Sequence, residues 1–456
     1  MIRLSLKENV SIRIRIVLIL LILGMSDFAA AQWECRSGLA GHLKPIVKDA
    51  PIRWAVENTI SFGKVDDITI SNMQAFGGME LSFNKHQLFG EGGLKGWRTK
   101  QDDIGINKKI RLGLRELFYR YYTEKTSLTA GFQSLILSDY FLVNERAMAV
   151  NFNHNDKSYI IDAKIGSVAK KYSRYGTFCS VKYLYDIIPG RELPFFGNSI
   201  GETNFAGAVV SWIPSPKEEA SKDITSEDDS SQTGSLDGEF GEFEDSGEFN
   251  EFEEFEDINI GEDKNTAGKK NRIVNQAGLI FYEEFGSKID KPKYYVGALA
   301  EFDLPLPFTL ETELLHQQIE NNKALIYYLR MKNEHIWNLG NRTAWSLKYF
   351  GKYNIDDDAS INTSFSNLFI GEAARLNTLD IPLYQAAVKH SFSKLRLHIK
   401  IQAVGQLKDD EISEIDFAIG KRFYNYFKLT GIFSRINAII FNEPFYLARL
   451  ELRTTF

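Results

Sequence analysis

The sequence predicts an all-β chain: a transmembrane antiparallel β-barrel of about 18 strands (16–20) interrupted by a disordered acidic insert. Three observations predict it. Beyond residue 50 apolar side chains recur at every second position, the period of a strand. Many alternating segments run to about 10–14 residues, longer than the five or six typical of soluble sheets. A tilted strand needs roughly 9–11 residues to cross hydrocarbon, so these lengths suit a bilayer. Finally, the chain opens on a segment with the composition of a secretory leader.

The leader is residues 1–31. Arg3, Lys7, Arg13 and Arg15 form a basic head, an apolar run follows from Ile16 to Met25, and Ala29-Ala30-Ala31 supplies the small residues that a signal peptidase needs. The run is only about ten residues, too short to span a membrane as a helix, so cleavage after Ala31 is expected. Residues 32–70, with Trp33 and Trp54, are read either as a short plug inside the pore or as a cap on its periplasmic end. Cys35 and Cys179 are the two cysteines, too few for a disulfide framework, and whether they pair stays open.

Two barrel portions follow, 71–213 and 273–456, separated by 214–272. In 394–403, Leu395, Leu397, Ile399, Ile401 and Ala403 alternate with Lys394, Arg396, His398, Lys400 and Gln402. In 158–165, Tyr159, Ile161, Ala163 and Ile165 alternate with Ser158, Asp162 and Lys164. A helix would scatter these charges around its circumference, whereas a strand gathers them on one face. Strands are expected at 71–84, 86–97, 109–122, 126–135, 146–153, 157–166, 176–187, 201–213, 272–285, 292–303, 306–317, 322–332, 336–350, 383–392, 394–404, 412–424, 426–437 and 443–456, with a weaker candidate at 53–62. A barrel leaves no unpaired edge, which a bilayer requires, and its polar face then turns toward the lumen. Tyr119, Tyr121 and Tyr122, and Phe423, Tyr424, Tyr426 and Phe427, gather at strand ends as interfacial aromatics do.

The last strand sets Tyr446, Ala448, Leu450, Leu452, Thr454 and Phe456 on one face and Leu447, Arg449, Glu451, Arg453 and Thr455 on the other. It resembles the terminal strand of Gram-negative outer-membrane β-barrels, and the resemblance implies that Tyr446, Leu450, Leu452 and Phe456 form a signal for the barrel-assembly machinery. Leu114-Arg115-Glu116-Leu117-Phe118-Tyr119-Arg120-Tyr121-Tyr122, followed by Ser127-Leu128-Thr129-Ala130-Gly131-Phe132-Gln133, is similar to a strand–turn–strand pattern of large porin-like and alginate-export-like barrels. Phe132 departs from it, standing where those families often have Arg. The resemblance implies an outer-membrane channel but names no solute. Alternation breaks between Leu114 and Leu117: Arg111 and Arg115 share one parity, Glu116 and Arg120 the other. One bulge there would return all four to a single face.

The expected lumen-facing residues are Arg111, Arg115, Glu116, Arg120, Arg396, Lys400, Glu414, Asp416, Arg449 and Arg453. Their mixed signs fit either a transverse field that orients polar solutes or a ladder of ion pairs that stiffens the wall. The net charge of −6 divides unevenly: 214–272 holds 19 Asp/Glu and 6 Lys/Arg, or −13, the leader carries +2, and the rest +5. That +5 is the basis for expecting small polar or anionic solutes.

Within the insert Phe240, Phe243, Phe249, Phe252 and Phe255 recur among 13 acidic residues between Asp237 and Asp263. They form a candidate docking segment for a protein partner, beside the plainer reading of a solvated low-complexity loop. Counting strands back from Phe456 sets the insert in the periplasm, whereas counting forward from the turn at Glu124-Lys125 sets it outside; the backward count is preferred. Outer-membrane lipid and the assembly machinery are the other expected partners, and nucleic acid is not one. No cofactor or metal is expected: the insert lacks EF-hand spacing, and His and Cys are absent from it. No enzyme is expected either. The sequence has no HExxH, GxSxG or phosphate loop, and an outer-membrane hydrolase, the second alternative, would rest on His398 beside the Ser391/Ser393 hairpin.

Overall fold

The computed structural model describes most of residues 52–167, 204–214, 274–354 and 382–455, together with two short segments in between. Its strands are β1 (Ile52–Val65), β2 (Ile68–Phe83), β3 (His86–Gln101), β4 (Gly105–Tyr122), β5 (Thr126–Leu137), β6 (Val143–Asn155), β7 (Tyr159–Ser167), β8 (Asn204–Trp212), β9 (Val274–Phe285) and β10 (Lys293–Asp303). They continue as β11 (Thr309–Ile319), β12 (Asn322–Ile336), β13 (Arg342–Asn354), the two-residue strands β14 (Leu368–Phe369) and β15 (Arg375–Leu376), β16 (Leu383–Phe392), β17 (Leu397–Gln406), β18 (Ile412–Phe423), β19 (Phe427–Ala438) and β20 (Phe445–Thr455). All but β14 and β15 belong to one 18-stranded antiparallel sheet. It closes where β20 pairs with β1, from Ala55 opposite Thr455 to Lys64 opposite Tyr446. The chain is a closed all-β barrel.

Closure explains the alternation. Ile60, Phe62, Met73, Leu314, Ile401, Phe417 and Leu450 lie exposed on the convex face. Their strand neighbours Glu57, Thr59, Gln74, Glu313, Lys400, Asp416 and Arg449 are buried on the concave one. An apolar outside and a polar inside is the pattern of a barrel whose solvent is lipid. Followed once round the ring, the register returns to β1 displaced by about 20 residues, which for a circular barrel means a strand tilt of about 37° and a backbone radius of about 17 Å. On the outer face Tyr121 and Tyr446 then stand roughly 25 Å apart along the axis, the height of a hydrocarbon band.

Two expectations about strands are revised. The weak candidate at 53–62 is β1, so the barrel begins at Ile52 and the plug-or-cap reading does not apply to 52–65. Ala55 on the inner face and Asn58 on the outer blur its alternation, while pairing on both sides fixes it. The expected strand at 176–187 lies outside the described residues, and β7 pairs directly with β8. With β1 added, the described strands of the wall number 18.

Those revisions reconcile the two strand counts. The N-terminal end of β1 and the C-terminal end of β20 share one rim, here the terminal rim. Strand direction then places the connections 84–85, 123–125 and 393–396 there, and with them the strand ends Phe423 and Phe427, and Trp212 and Val274, the ends that flank the acidic insert. The strand ends Ser167 and Asn204, and Asn354 and Leu383, belong to the far rim. The forward count failed because it included a strand between β7 and β8.

Lipid-facing burial predicts a position-dependent cost for charge. Leu450→Arg, near mid-height on the outer face, is expected to lower unfolding stability in lipid vesicles by about 2–4 kcal/mol, whereas Tyr446→Arg at the band edge costs about 0–1 kcal/mol. Denaturant titration of the vesicle-inserted protein measures both.

Candidate functional site: the barrel lumen

Strand parity builds the lumen wall. On β4, Glu116 is buried on the inner face while Leu117 and Tyr119 point out. The register with β3 shifts here: Glu91 is opposite Glu116 and Gly92 opposite Leu114, leaving Arg115 as the extra residue of a β-bulge. The break in alternation at Leu114–Leu117 has this cause. Arg111 takes the register position opposite Lys95, beyond the bulge. The side chains of Arg111 and Arg115 are not described. Arg120 donates from Nε to Thr129 Oγ1 at 3.0 Å.

The remaining candidates divide. Lys400, Glu414, Asp416, Arg449 and Arg453 are buried on the inner faces of β17, β18 and β20. Arg453 Nε donates to Glu57 Oε2 across the closing seam at 2.9 Å, and Arg449 Nε lies 2.6 Å from Glu451 Oε1. Arg396 requires correction. It sits exposed in the 393–396 turn with φ 49°, and its strand begins only at Leu397. The apparent period of two ran on through the turn because Lys394, Leu395 and Arg396 happen to alternate. Tyr446, Leu450 and Leu452 are outward on β20. Phe456 and Phe240, Phe243, Phe249, Phe252 and Phe255 lie outside the described residues, as do Cys35 and Cys179.

Charge on the inner wall is sorted by sector. Glu57, Glu80, Glu91 and Glu116 are buried on four consecutive strands, β1 to β4. Arg330, Lys348, Lys389 and Lys400 are buried on β12, β13, β16 and β17, which are also consecutive in the sheet. Arg330 is directly opposite Lys348, and Lys389 directly opposite Lys400. The acidic and basic sectors occupy different sides of the ring at similar height. Ion pairs tie parts of this wall together: Glu311 meets Arg330 at 3.2 Å and Lys332 at 2.6 Å, and Arg53 pairs with Glu80. Among the described residues Gln74 and Gln402 have no partner for either end of their buried amides, as on a wetted surface. Sequence reading missed Arg330, Lys348 and Lys389. Each stands on an inner face, but only the strand order makes them neighbours.

A second feature narrows the lumen. Among the described residues β5 pairs with β4 only as far as Phe132, and β6 pairs with β7 only from Met148 onward. Between these limits the described pairing of β5 and β6 is with each other, from Gln133–Ala147 to Leu137–Val143. The hairpin leaves the wall at Gly131, whose φ of 135° admits almost no other residue and where a Cβ would lie 2.4 Å from the Leu117 carbonyl oxygen. Glu116 accepts hydrogen bonds from the Ser134 amide at 3.2 Å and from its hydroxyl, replacing the lost ladder. The tip then reaches across the barrel. Leu137 packs against the backbone of Gly207 on β8, and the Ser138 hydroxyl donates to Glu313 on β11. Leu142 and Val143 are fully buried in an apolar cluster with Tyr282, Tyr295, Leu315 and Tyr328. An apolar wedge thus fills part of the lumen toward the far rim.

His398 is register-paired with Ser391 on the inner faces of β17 and β16. Its ring packs over Gly420, and Lys389, Lys400 and Lys428 contribute its nearby charge. Among the described residues no carboxylate is recorded orienting that ring as an acyl-transfer base would require. Among the described residues no group of three His, Cys, Asp or Glu is placed to hold a metal ion. At the terminal rim Lys125 Nζ donates to Asp156 Oδ1 at 2.8 Å, and that hydrogen bond raises the Lys125 pKa above its ordinary value.

No family model and no curated relative matches the chain. Solved structures similar to it include Pseudomonas aeruginosa OccK7 (OpdD), at 10% identity and a TM-score of 0.46, covering 89% of this chain and 99% of that one. Acinetobacter baumannii OccAB3 matches at 7% and 0.44, covering 90% and 100%. The outer membrane protein opdK from Pseudomonas aeruginosa matches at 7% and 0.44, covering 89% and 98%. At these values nothing about a solute follows.

The tip contact makes a chemical prediction. In a Cys35→Ser/Cys179→Ser background, Ser138→Cys with Glu313→Cys is expected to form a disulfide under mild oxidation, visible as a shifted band on non-reducing electrophoresis. A hairpin lying in the wall would give no such bond, since the two residues belong to strands far apart in the ring.

Proposed function

We propose that the chain is an outer-membrane channel, porin-like in form, through which small polar and preferentially anionic solutes diffuse. The observation that carries this reading is the sorted charge of the inner wall. Like charges directly opposite on neighbouring strands oppose folding. Arg330 with Lys348 and Lys389 with Lys400 make two such pairs in one sector. A basic sector facing an acidic one creates a transverse field, which orients a dipolar solute and holds its anionic end to one side. The β5–β6 tip narrows the passage beside that field and so sets the size limit. On this reading the wall's ion pairs hold the charged side chains in place, and Lys400, Glu414, Asp416, Arg449 and Arg453 line the path.

The signal peptide ending at Ala31, assembly through the C-terminal strand and insertion into outer-membrane lipid belong to the same proposal. They are supported by the leader composition and by the outward row Tyr446, Leu450 and Leu452. Planar-bilayer recording is the test. Wild-type protein is expected to give discrete steps with an anion-favouring reversal potential, and Lys389→Glu with Lys400→Glu to move that potential toward cations. Absence of current in every condition would end the channel reading, and an unmoved reversal potential would remove the basic sector from it.

A second reading concerns the acidic insert, favoured by its flanking strand ends on the terminal rim. In the proposed orientation that rim faces the periplasm, so Phe240, Phe243, Phe249, Phe252 and Phe255 would meet a periplasmic protein with a basic, apolar groove. Protease added to intact cells is expected to leave 214–272 uncut and to cleave it once the periplasm is opened. Cleavage in intact cells would overturn this placement.

A further inference from the structure

The outer surface carries a feature that conduction does not use. β2, β3 and β4 are the longest strands, at 16, 16 and 18 residues, and with β1 they rise above the apolar band on the far rim. Several of their outward positions there change character, Ile106 above Lys108 staying apolar. Below lie Phe62, Met73, Leu94 and Ile110, all exposed. Immediately above stand Lys64 on β1, Arg98 on β3 and Lys108 on β4, all exposed. Arg98 is directly opposite Lys108, with Ser71 its partner on the other side. Lys64 is directly opposite Tyr446, which is opposite Arg435 at the outward end of β19. Corrected for the tilt, Lys64, Arg98 and Lys108 lie within about 4 Å of one height.

We propose that this outward row binds the phosphates of an outer-leaflet glycolipid of the lipid A class, a disaccharide with a phosphate at each end. Four arguments meet here. Arg98 and Lys108 carry like charge about 5 Å apart on one face, an arrangement that an anion between them turns from repulsive to attractive. No hydrogen bond or ion pair engages Arg98, Lys108, Lys64 or Arg435 among the described residues. Lys64 stands two strands away, about 10 Å from Arg98, so one phosphate can sit at Arg98/Lys108 and a second at Lys64, with the Ser71 and Thr69 hydroxyls between them. The apolar residues directly beneath would hold the acyl chains, which fixes the phosphates at the level of the row. A zwitterionic or singly charged headgroup supplies one anion and leaves half the row unmatched. The proposal rests on the outer-membrane reading through the far rim facing the outer leaflet, and it does not rest on conduction.

The test uses the full mature barrel in detergent. Native mass spectrometry with added purified lipid A is expected to show a retained one-to-one complex, with phosphatidylglycerol retained at least tenfold less. Arg98→Gln with Lys108→Gln should reduce lipid A retention at least tenfold. The same double variant should keep the heat-modifiable electrophoretic mobility of a folded barrel and the wild-type single-channel conductance. If it misfolds, Lys64→Gln alone, outside the Arg98–Lys108 pair, should still weaken retention several-fold. Equal retention by wild type and both variants would overturn the proposal, as would equal retention of phosphatidylglycerol. Retention that is lost with EDTA but survives in the variants would also overturn it, placing the phosphate on a divalent ion and not on the basic row. Lack of conductance in wild type, with lipid A retention intact, would remove the channel reading and leave this one standing.

Discussion

Backbone hydrogen bonding in a medium without water is the constraint on which the rest of this molecule depends. A peptide group left unpaired in hydrocarbon costs several kcal/mol, so the sheet must close. The seam between β1 and β20 does this through ten register pairs from Ala55–Thr455 to Lys64–Tyr446. It joins the first described strand to the last and ties Glu57 to Arg453 on the inside. Once the ring is closed, the parity of each residue decides whether it meets lipid or lumen. Outward Leu450 and inward Arg449 and Glu451 are consequences of closure, not separate choices.

The same constraint makes the β5–β6 departure informative. Where β5 leaves β4 after Phe132, the ladder must be replaced by other partners. Glu116 serves one amide, at Ser134, and the Gln133 side chain donates to the carbonyls of Ala149 and Thr129. Such a detour is tolerated because the hairpin turns into the protein interior and away from lipid, where Leu137, Leu142 and Val143 bury against the far wall. Filling of the lumen and replacement of the lost ladder thus depend on one set of residues around Gly131.

Inside, the wall shows how a barrel handles charge. Some groups are neutralised locally, as Glu311 is by Arg330 and Lys332. The same wall also groups charge by sector, with Glu57, Glu91 and Glu116 on one side and Lys348, Lys389 and Lys400 on another, Glu57 being at the same time paired with Arg453. Pairing across strands and grouping by sector thus occur on the same wall.

Much of this was legible in the sequence. The period of two, the strand lengths and the outward row of the last strand specify a barrel, because alternation reports a sheet with two unlike solvents. The slip in alternation already located a bulge between Leu114 and Leu117, since one extra residue inverts every later side chain, and the register with β3 made Arg115 that residue. The turn at Arg396 was misread because a short charged turn can mimic alternation. Three matters waited for the tertiary structure. The ring assigned the insert's flanks to the terminal rim, because side is a parity and one miscounted strand reverses it. It brought Arg330, Lys348, Lys389 and Lys400 into one sector, because neighbours in a sheet are far apart in the chain. And it put Lys64, Arg98 and Lys108 at one height, because height on a tilted barrel depends on the shear of the whole ring, a quantity that no single strand contains.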